Sequence, residues 1–211
     1  MSLETKEDFA LSPETLAILN EFIAEKSLED VDVNISEDWQ LSQFWYTSDT
    51  SLCIVNECLG LLEGEIPKRI ACISCPSLIA HFMKAEQFKQ EKIEVKLFEY
   101  DKRFQQRYPT SFIHYDYRNP LNIDKYYSEY FDFIIADPPF LSDECFIKVA
   151  QTIRILAKPK FKLIFCTGTI MEDLLKRLFN LRRANNFRPE HNNNLANDFS
   201  LFLNYESKNI F

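Results

Sequence analysis

An acid, two prolines and an aromatic ring follow a mostly apolar run in the stretch FDFIIADPPF, and these residue types together are suited to chemistry. The run Phe131–Ala136 predicts a buried strand. Asp137 then offers a carboxylate that accepts hydrogen bonds, and Pro138 and Pro139 stiffen the backbone that presents it. Phe140 adds a flat ring that packs well against a planar or aliphatic ligand. The pattern predicts a rigid hydrogen-bond acceptor site at the end of a strand.

Two more acids, Glu99 and Asp116, end the two strand-like segments that come before this one. In open parallel sheets, ligands bind beyond the carboxyl ends of the strands. Glu99 is placed to accept hydrogen bonds from both hydroxyls of a ribose, and Asp116 from the amino group of an adenine. Either acid alone is also explained as a solvated residue at a strand end. Their occurrence at successive strand ends favours an adenosine-containing ligand.

Glycine is scarce in this chain, and its scarcity limits the kind of nucleotide that fits. The chain has three glycines, and none lies between Gly64 and Gly168. A loop that wraps a pyrophosphate needs glycine for close backbone approach. A dinucleotide cofactor is therefore disfavoured, whereas an adenosine ligand without phosphates is still allowed.

Helix-period and strand-like segments alternate from residue 39 onward, which predicts a parallel sheet covered by helices on both faces. The last two strands, RRANNFRP (182–189) and FSLFLNY (199–205), have no helix between them and predict an antiparallel pair. The fold class is therefore α/β and Rossmann-like, with a mostly parallel seven-stranded sheet. The five other strands are predicted in the segments RIACIS, IEVKLFEY, SFIHY, FDFIIA and FKLIFC.

The N-terminal residues have a different character from the rest of the chain. Ser12 as a helix cap and Pro13 at the first helical position predict an amphipathic helix. The acid-rich segment 27–38 then reads as a linker. We expect an N-terminal helix and acidic linker over residues 1–38 and a main domain over residues 39–211.

Charge and composition narrow the classes of partner. The chain has 24 Lys and Arg residues against 32 Asp and Glu residues, a formal charge of −8, which disfavours binding to a nucleic acid through its phosphates. It has no apolar run long enough for a membrane helix and no secretion signal, so a cytoplasmic protein without membrane contact is expected. Cys72 and Cys75 have zinc-site spacing without a second pair, and we expect no metal.

The stretch D-P-P-F after a buried fourth strand resembles the catalytic loop of S-adenosylmethionine-dependent methyltransferases that modify amino nitrogens. More of the chain resembles one family, the elongation factor 1-alpha lysine methyltransferases. These enzymes were formerly grouped with N6-adenine-specific DNA methyltransferases and have a class I methyltransferase fold. The segments that carry the resemblance are EDWQLSQFWY (37–46), ACISCPS (71–77), FEYDKRF (98–104), HYDYRNPL (114–121), IIADPPFLSDEC (134–145), CTGTIMED (166–173) and NLANDFSLFLNY (194–205).

The resemblance implies a role for each matching residue. Asp137, Pro138, Pro139 and Phe140 are the implied catalytic residues, and the Asp137 carboxylate and the Pro138 carbonyl accept hydrogen bonds from the target nitrogen. Phe140 and Asn194 are expected at the substrate, and His191 is expected there because it is the only histidine in a loop near the functional end of the sheet. The residues expected to bind S-adenosylmethionine, which leaves as S-adenosylhomocysteine, are Gln43, Phe44, Trp45, Tyr46, Ser74, Cys75, Pro76, Ser77, Glu99, Tyr100, Asp116, Tyr117 and Asp137.

The resemblance implies methylation of a lysine on translation elongation factor 1-alpha, and two alternatives stay open. An adenine amino group on RNA or DNA would suit the same loop, but such a base must be flipped out and held by a basic surface. The second alternative is a module that keeps the fold and binds a partner without catalysis. Calorimetric binding of S-adenosylmethionine separates this module from an enzyme.

Overall fold

A computed structural model describes residues 35–61, 67–193, 198–207 and 210 of the chain. Within these residues the protein is built around a single seven-stranded sheet. The strands are β1 (Lys68–Ile73), β2 (Ile93–Glu99), β3 (Phe112–His114), β4 (Phe131–Ala136), β5 (Ala157–Gly168), β6 (Arg182–Arg183) and β7 (Phe199–Leu203).

The order of the strands across the sheet is β3-β2-β1-β4-β5-β7-β6. Strands β1 to β5 are parallel, whereas β7 runs antiparallel to both β5 and β6. The predicted α/β sheet with an antiparallel C-terminal pair is confirmed. The chain winds in opposite directions from β1, toward β2 and β3 on one side and toward β4 and β5 on the other. A crevice forms at such a switch point, beyond the carboxyl ends of the strands.

Helices cover both faces of the sheet. On one face, Phe146 lies fully buried against Phe165 of β5, with 5.2 Å between the ring centroids. On the other face, the buried Cys58 lies near Cys72 of β1, which is itself fully buried. Burial on both faces explains why the central strands are almost continuously apolar. The helices are α1 (Ser48–Gly60), α2 (Ile79–Lys84), α3 (Glu86–Lys89), α4 (Arg103–Arg107), α5 (Asp143–Leu156) and α6 (Glu172–Phe179).

The strand predicted over residues 182–189 is much shorter, because only Arg182–Arg183 pair with β7. Residues 185 and 186 bend away, and Pro189 has no N–H group to donate to a ladder. The N-terminal helix from Ser12 lies outside the described residues, so the boundary at residue 38 stays a prediction. No helix among the residues described is long and apolar enough to cross a membrane.

Candidate active site

A cavity of about 470 Å³ lies beyond the carboxyl ends of β1, β2 and β4. Its volume falls within the range of small-molecule sites, which is roughly 300–1,000 Å³. The expected site residues that line it are Gln43, Phe44, Trp45, Ser74, Cys75, Pro76, Ser77, Glu99, Tyr100, Asp116, Tyr117, Asp137, Pro138, Pro139, Phe140 and His191.

Two of the expected residues are not part of this lining. Tyr46 is buried next to the cavity and does not line it. Asn194 lies outside the described residues. Phe199 lines the cavity although the sequence reasoning did not select it. It opens β7, which is antiparallel to β5, so its amino end lies at the same edge of the sheet as the carboxyl ends of the parallel strands. The predicted antiparallel direction of this strand could therefore have indicated Phe199 from the sequence.

The loop after β1 turns without a glycine. Ser74 adopts a left-handed backbone with φ 56°, the conformation in which glycine is least strained. Its N–H donates to the Phe98 carbonyl at 2.9 Å, and the Cys75 thiol donates to the Ile135 carbonyl at 3.5 Å. Pro76 then starts a short 3₁₀ turn that leads into α2. Hydrogen bonds to the neighbouring strands therefore hold the loop in a tight turn, a role that glycines fill in other nucleotide-binding loops.

Glu99 ends β2 as a buried carboxyl group, with 7% of its surface exposed. Its Oε1 accepts a hydrogen bond from the Asp101 backbone N–H at 2.9 Å. Burial raises the pKa of Glu99 to about 7, although this backbone donor lowers it. A carboxylate in this position is stabilised by further hydrogen-bond donors, such as a pair of hydroxyl groups.

A network around Gln43 ties the segment 37–46 to the end of β2. The Gln43 side chain donates to Asp101 Oδ2 at 2.9 Å and accepts from Arg103 at 3.0 Å. Asp101 also accepts from the Arg103 side chain, and these hydrogen bonds hold the pKa of Asp101 below its usual value. Trp45 packs edge-on against Phe104, with 5.9 Å between the ring centroids. The segment is fixed across one side of the cavity.

Asp116, beyond the end of β3, is bound by an arginine. Its Oδ1 and Oδ2 accept hydrogen bonds from the Arg118 side chain at 2.9 and 2.8 Å. These bonds lower the pKa of Asp116. Arg118 in turn lies 5.5 Å from the ring centroid of Tyr100. The carboxylate is ionised near neutral pH, and part of its accepting capacity is already used inside the protein.

Asp137 follows β4 and has a different environment. Its backbone N–H donates to the Ile73 carbonyl at 3.0 Å, which anchors the start of the Asp-Pro-Pro-Phe loop to β1. Its Oδ2 accepts a hydrogen bond of 2.6 Å from the Tyr46 hydroxyl. Burial and the nearby Glu99 raise the pKa of Asp137 to about 7, whereas the tyrosine lowers it. The carboxyl group can change its protonation state near neutral pH.

The aromatic end of this loop is open to solvent. Phe140 is 42% exposed and lies 5.8 Å, between ring centroids, from Tyr117. Ser142 then begins α5 as its cap, accepting from the Cys145 N–H at 3.3 Å. The loop is therefore pinned by β1 at one end and by a capped helix at the other, with an accessible ring between.

His191 lies at the cavity as part of a packed aromatic group. It forms an isolated antiparallel bridge with Tyr46, and its ring centroid lies 5.0 Å from that of Tyr46 and 5.1 Å from that of Phe199. Burial lowers the pKa of His191 to about 4, so the ring is neutral near pH 7. Among the described residues, no cluster of His, Cys, Asp and Glu side chains has the arrangement of a metal site.

Residues 37–207 match the protein family described as probable N6-adenine methyltransferase. The chain is 47% identical over 206 residues to the protein-lysine N-methyltransferase M142.8 of Caenorhabditis elegans, covering 93% of this chain and 94% of that protein. It is 41% identical over 215 residues to EEF1A lysine methyltransferase 1 of Homo sapiens, covering 97% and 96% of the two chains.

Among solved structures, the fold is similar to that of the branched-chain polyamine synthase C9 mutein of Thermus thermophilus, solved with N4-aminopropylspermidine and 5'-methylthioadenosine. The TM-score is 0.61 at 11% identity, and the match covers 89% of this chain and 64% of the other. At this identity the likeness concerns the fold alone. The extent and identity of the sequence matches show more, since they span nearly the whole chain. The protein belongs to the EEF1A lysine methyltransferase family.

Proposed function

We propose that this protein is an S-adenosylmethionine-dependent protein-lysine N-methyltransferase that modifies a lysine of translation elongation factor 1-alpha. The observation that carries the proposal is the convergence of Glu99 and Asp137 on one cavity, in a chain that belongs to this family. The translation factor as substrate would place the reaction in the cytoplasm. The family match begins at residue 37, which supports residues 39–211 as the catalytic domain and residues 1–38 as an appendage.

The chemistry of the cavity suits S-adenosylmethionine. The buried Glu99 carboxyl group is a fitting partner for the two ribose hydroxyls, because those donors would stabilise its ionised form. Asp116 and Tyr117 would flank the adenine, and the loop Ser74–Ser77 would contact the methionine portion. When bound, the cofactor supplies an electrophilic methyl group. Glu99 would then hold the nucleoside at the end of β2.

The Asp-Pro-Pro-Phe loop would orient the acceptor nitrogen. The Asp137 carboxylate and the Pro138 carbonyl accept hydrogen bonds from its N–H groups, which directs the nitrogen lone pair toward the methyl group. A free lysine has a pKa of about 10.4 and is almost entirely protonated at neutral pH. Once the lysine side chain covers the exposed Phe140 ring and packs against Phe44 and Trp45, water would be excluded and the neutral amine favoured. The aromatic faces of these residues also tolerate the cation before it loses its proton.

Two alternative functions are less well supported: methylation of adenine and binding without catalysis. Methylation of adenine on a nucleic acid fits the family description, but the formal charge of −8 disfavours binding to phosphates. A non-catalytic module would have no need for an acid at the end of β4 whose pKa lies near neutrality.

The test incubates the purified protein with S-adenosylmethionine labelled on its methyl group and with purified elongation factor 1-alpha. We expect label on the factor, located to one lysine by mass spectrometry, and no label when arginine replaces that lysine. A parallel reaction in cell lysate, with and without nuclease, identifies any nucleic-acid product. Label that disappears with nuclease, together with an unmodified purified factor, would reject the lysine assignment in favour of adenine.

A further inference from the structure

The Asp-Pro-Pro-Phe loop offers two acceptors, and they are fixed in different ways. The Pro138 carbonyl belongs to a backbone held by two prolines and by the bond from the Asp137 N–H to the Ile73 carbonyl. The Asp137 carboxylate, in contrast, can rotate about its last side-chain torsion, χ2, whose energy profile is broad and nearly two-fold. The backbone alone therefore does not fix the direction of its oxygens.

The Tyr46 hydroxyl supplies the missing constraint. Tyr46 lies 91 positions before Asp137 in the chain and donates to Oδ2 over 2.6 Å, a short charge-assisted hydrogen bond. The buried Cys166 thiol of β5 lies near the same hydroxyl and contributes to raising the pKa of Tyr46. With Oδ2 occupied, Oδ1 is the oxygen available to an incoming N–H group.

Tyr46 is itself held firmly. It is 4% exposed, and its backbone forms the bridge to His191. On either side of the bridge, the Thr47 N–H donates to the Glu190 carbonyl at 2.9 Å, and the Asn192 N–H donates to the Trp45 carbonyl at 2.8 Å. Strand-like pairing therefore sets the position of the tyrosine ring, and the ring sets the position of its hydroxyl.

We infer that Tyr46 is a positioning residue for methyl transfer, which holds the Asp137 carboxylate so that its second oxygen receives the acceptor N–H. This role rests on the proposed function and differs from the contact with the cofactor that the sequence suggested for Tyr46. A tyrosine suits the task because it is neutral, and burial raises its pKa further. An arginine in its place would neutralise the carboxylate and repel an approaching lysine.

Tyr46 also acts on the charge of Asp137. The titratable groups near this carboxyl group are Tyr46 itself, Glu99 at the end of β2, Cys75 in the loop after β1 and Cys166 of β5. The hydroxyl lowers the pKa of Asp137, whereas Glu99 and burial raise it. Removing the hydroxyl should therefore raise the pKa of Asp137 above about 7 and leave less of the accepting carboxylate at neutral pH.

The test is Tyr46→Phe, which keeps the ring, with Tyr130→Phe as the matched control. The Tyr130 hydroxyl likewise donates to a carboxylate, Glu94, at 2.7 Å, but it lies away from the cavity. We expect Tyr46→Phe to lower kcat about tenfold to a hundredfold, the effect of one charge-assisted hydrogen bond. KM for S-adenosylmethionine should change less than about twofold, since the substitution leaves the residues proposed to bind the cofactor unchanged. The acid limb of the kcat–pH profile should move upward, whereas Tyr130→Phe should leave kcat and the profile unchanged.

A second measurement needs no substrate. Carbon-13 NMR of the carboxyl groups, with the Asp137 signal assigned from Asp137→Asn, gives the pKa of Asp137 in the free protein. We expect a higher pKa in Tyr46→Phe than in the wild type or in Tyr130→Phe. An unchanged pKa, or a kcat loss that Tyr130→Phe reproduces, would overturn the role of Tyr46. A wild type that fails to methylate elongation factor 1-alpha, together with the expected NMR shift, would reject the proposed substrate and leave the contact between Tyr46 and Asp137 established.

Discussion

The acids around the cavity fall into two pairs with opposite electrostatics. Asp101 and Asp116 each lie two positions before an arginine, accept from its backbone N–H and its side chain, and have lowered pKa values. We call them the arginine-paired acids. Glu99 and Asp137, the neutral-donor acids, accept from a backbone amide and a tyrosine hydroxyl, and their pKa values are raised to about 7.

The difference separates acids that shape the site from acids that are ready for a ligand. An arginine satisfies a carboxylate before any ligand arrives, so the arginine-paired acids chiefly fix the loops after β2 and β3. A buried carboxyl group with only neutral donors remains costly to ionise, and new donors or a cation stabilise it strongly. On this comparison, Glu99 and Asp137 should dominate ligand binding and catalysis.

The largest expected effect comes from Asp137→Asn. The amide keeps the volume of the side chain but replaces the charged acceptor, so methyl transfer should fall about a hundredfold to a thousandfold. Affinity for S-adenosylmethionine, measured by calorimetry, should stay within about threefold, because in the proposed site the carboxylate faces the acceptor nitrogen and not the cofactor. Asp49→Asn, at an exposed acid in the first turn of α1, is the control. Substantial turnover by Asp137→Asn would show that another group orients the nitrogen.

Glu99→Gln should weaken S-adenosylmethionine binding about tenfold to a hundredfold, since under the proposed function the ribose hydroxyls lose a charged acceptor. The pH dependence gives a second signature. Because Glu99 has a pKa of about 7 in the free protein, binding at lower pH must also remove its proton, so wild-type affinity should decrease below pH 7. Calorimetry from pH 5.5 to 8 should find a flatter profile for Glu99→Gln. Glu86→Gln, at an exposed acid of α3, should match the wild type, and equal slopes in all three proteins would contradict the assignment.

Asp101→Asn should act on stability more than on binding. Its buried carboxylate accepts hydrogen bonds from the side chains of both Gln43 and Arg103. Weakening these bonds should lower the free energy of unfolding by about 1–3 kcal/mol. Since its pKa is lowered from 3.8, the stability that it contributes is present above that pH and lost as the pH falls further. Denaturant titrations at pH 7 and pH 3 measure both effects. Asp116→Asn, at a more exposed pair, should cost less, and the reverse order would break the comparison.

The smallest effect concerns backbone strain in the loop after β1. The left-handed conformation of Ser74 costs about 1 kcal/mol for a residue with a side chain, and the added freedom of the unfolded chain offsets part of the gain from glycine. Ser74→Gly should therefore stabilise the protein by less than about 1 kcal/mol in thermal unfolding, and Ser74→Val should destabilise it. If partners and burial govern the neutral-donor acids, Ser74→Gly should leave the pH dependence of cofactor binding unchanged. A marked change would instead assign that dependence to the loop.

The sequence predicted the sheet well because its strands are continuous apolar runs separated by helix-period segments. It did not predict α3, since a helix of four residues is too short to display a period. It overextended β6, where local composition resembled a strand but Pro189 and the bend at residues 185 and 186 ended the pairing. Local patterns thus located the strands, but they missed the short helix α3 and did not show where β6 ends.

The strand-end rule placed Glu99 and Asp137 at one edge of the sheet, and the structure brings both to the same cavity. Their partners could not be read in the same way. The Tyr46 hydroxyl meets Asp137 across 91 positions, and no spacing pattern links the two residues. The arginine pairing of Asp116 was more accessible, because the sequence Asp-x-Arg is local and occurs again at Asp101.

The bridge between Tyr46 and His191 joins an early part of the chain to a late one, which limits when it can form during protein synthesis. Next to the bridge, the Glu190 N–H donates to the Thr50 hydroxyl, joining residues 140 positions apart. Contacts of such long range form late in folding, because much of the chain must first be ordered. During synthesis, residue 190 is added after all five parallel strands, so this contact must wait until nearly the whole sheet has been made. The tyrosine that holds Asp137, the carboxylate proposed to orient the acceptor, is therefore fixed in place only then, and the capacity for methyl transfer should be among the last properties that a growing chain acquires.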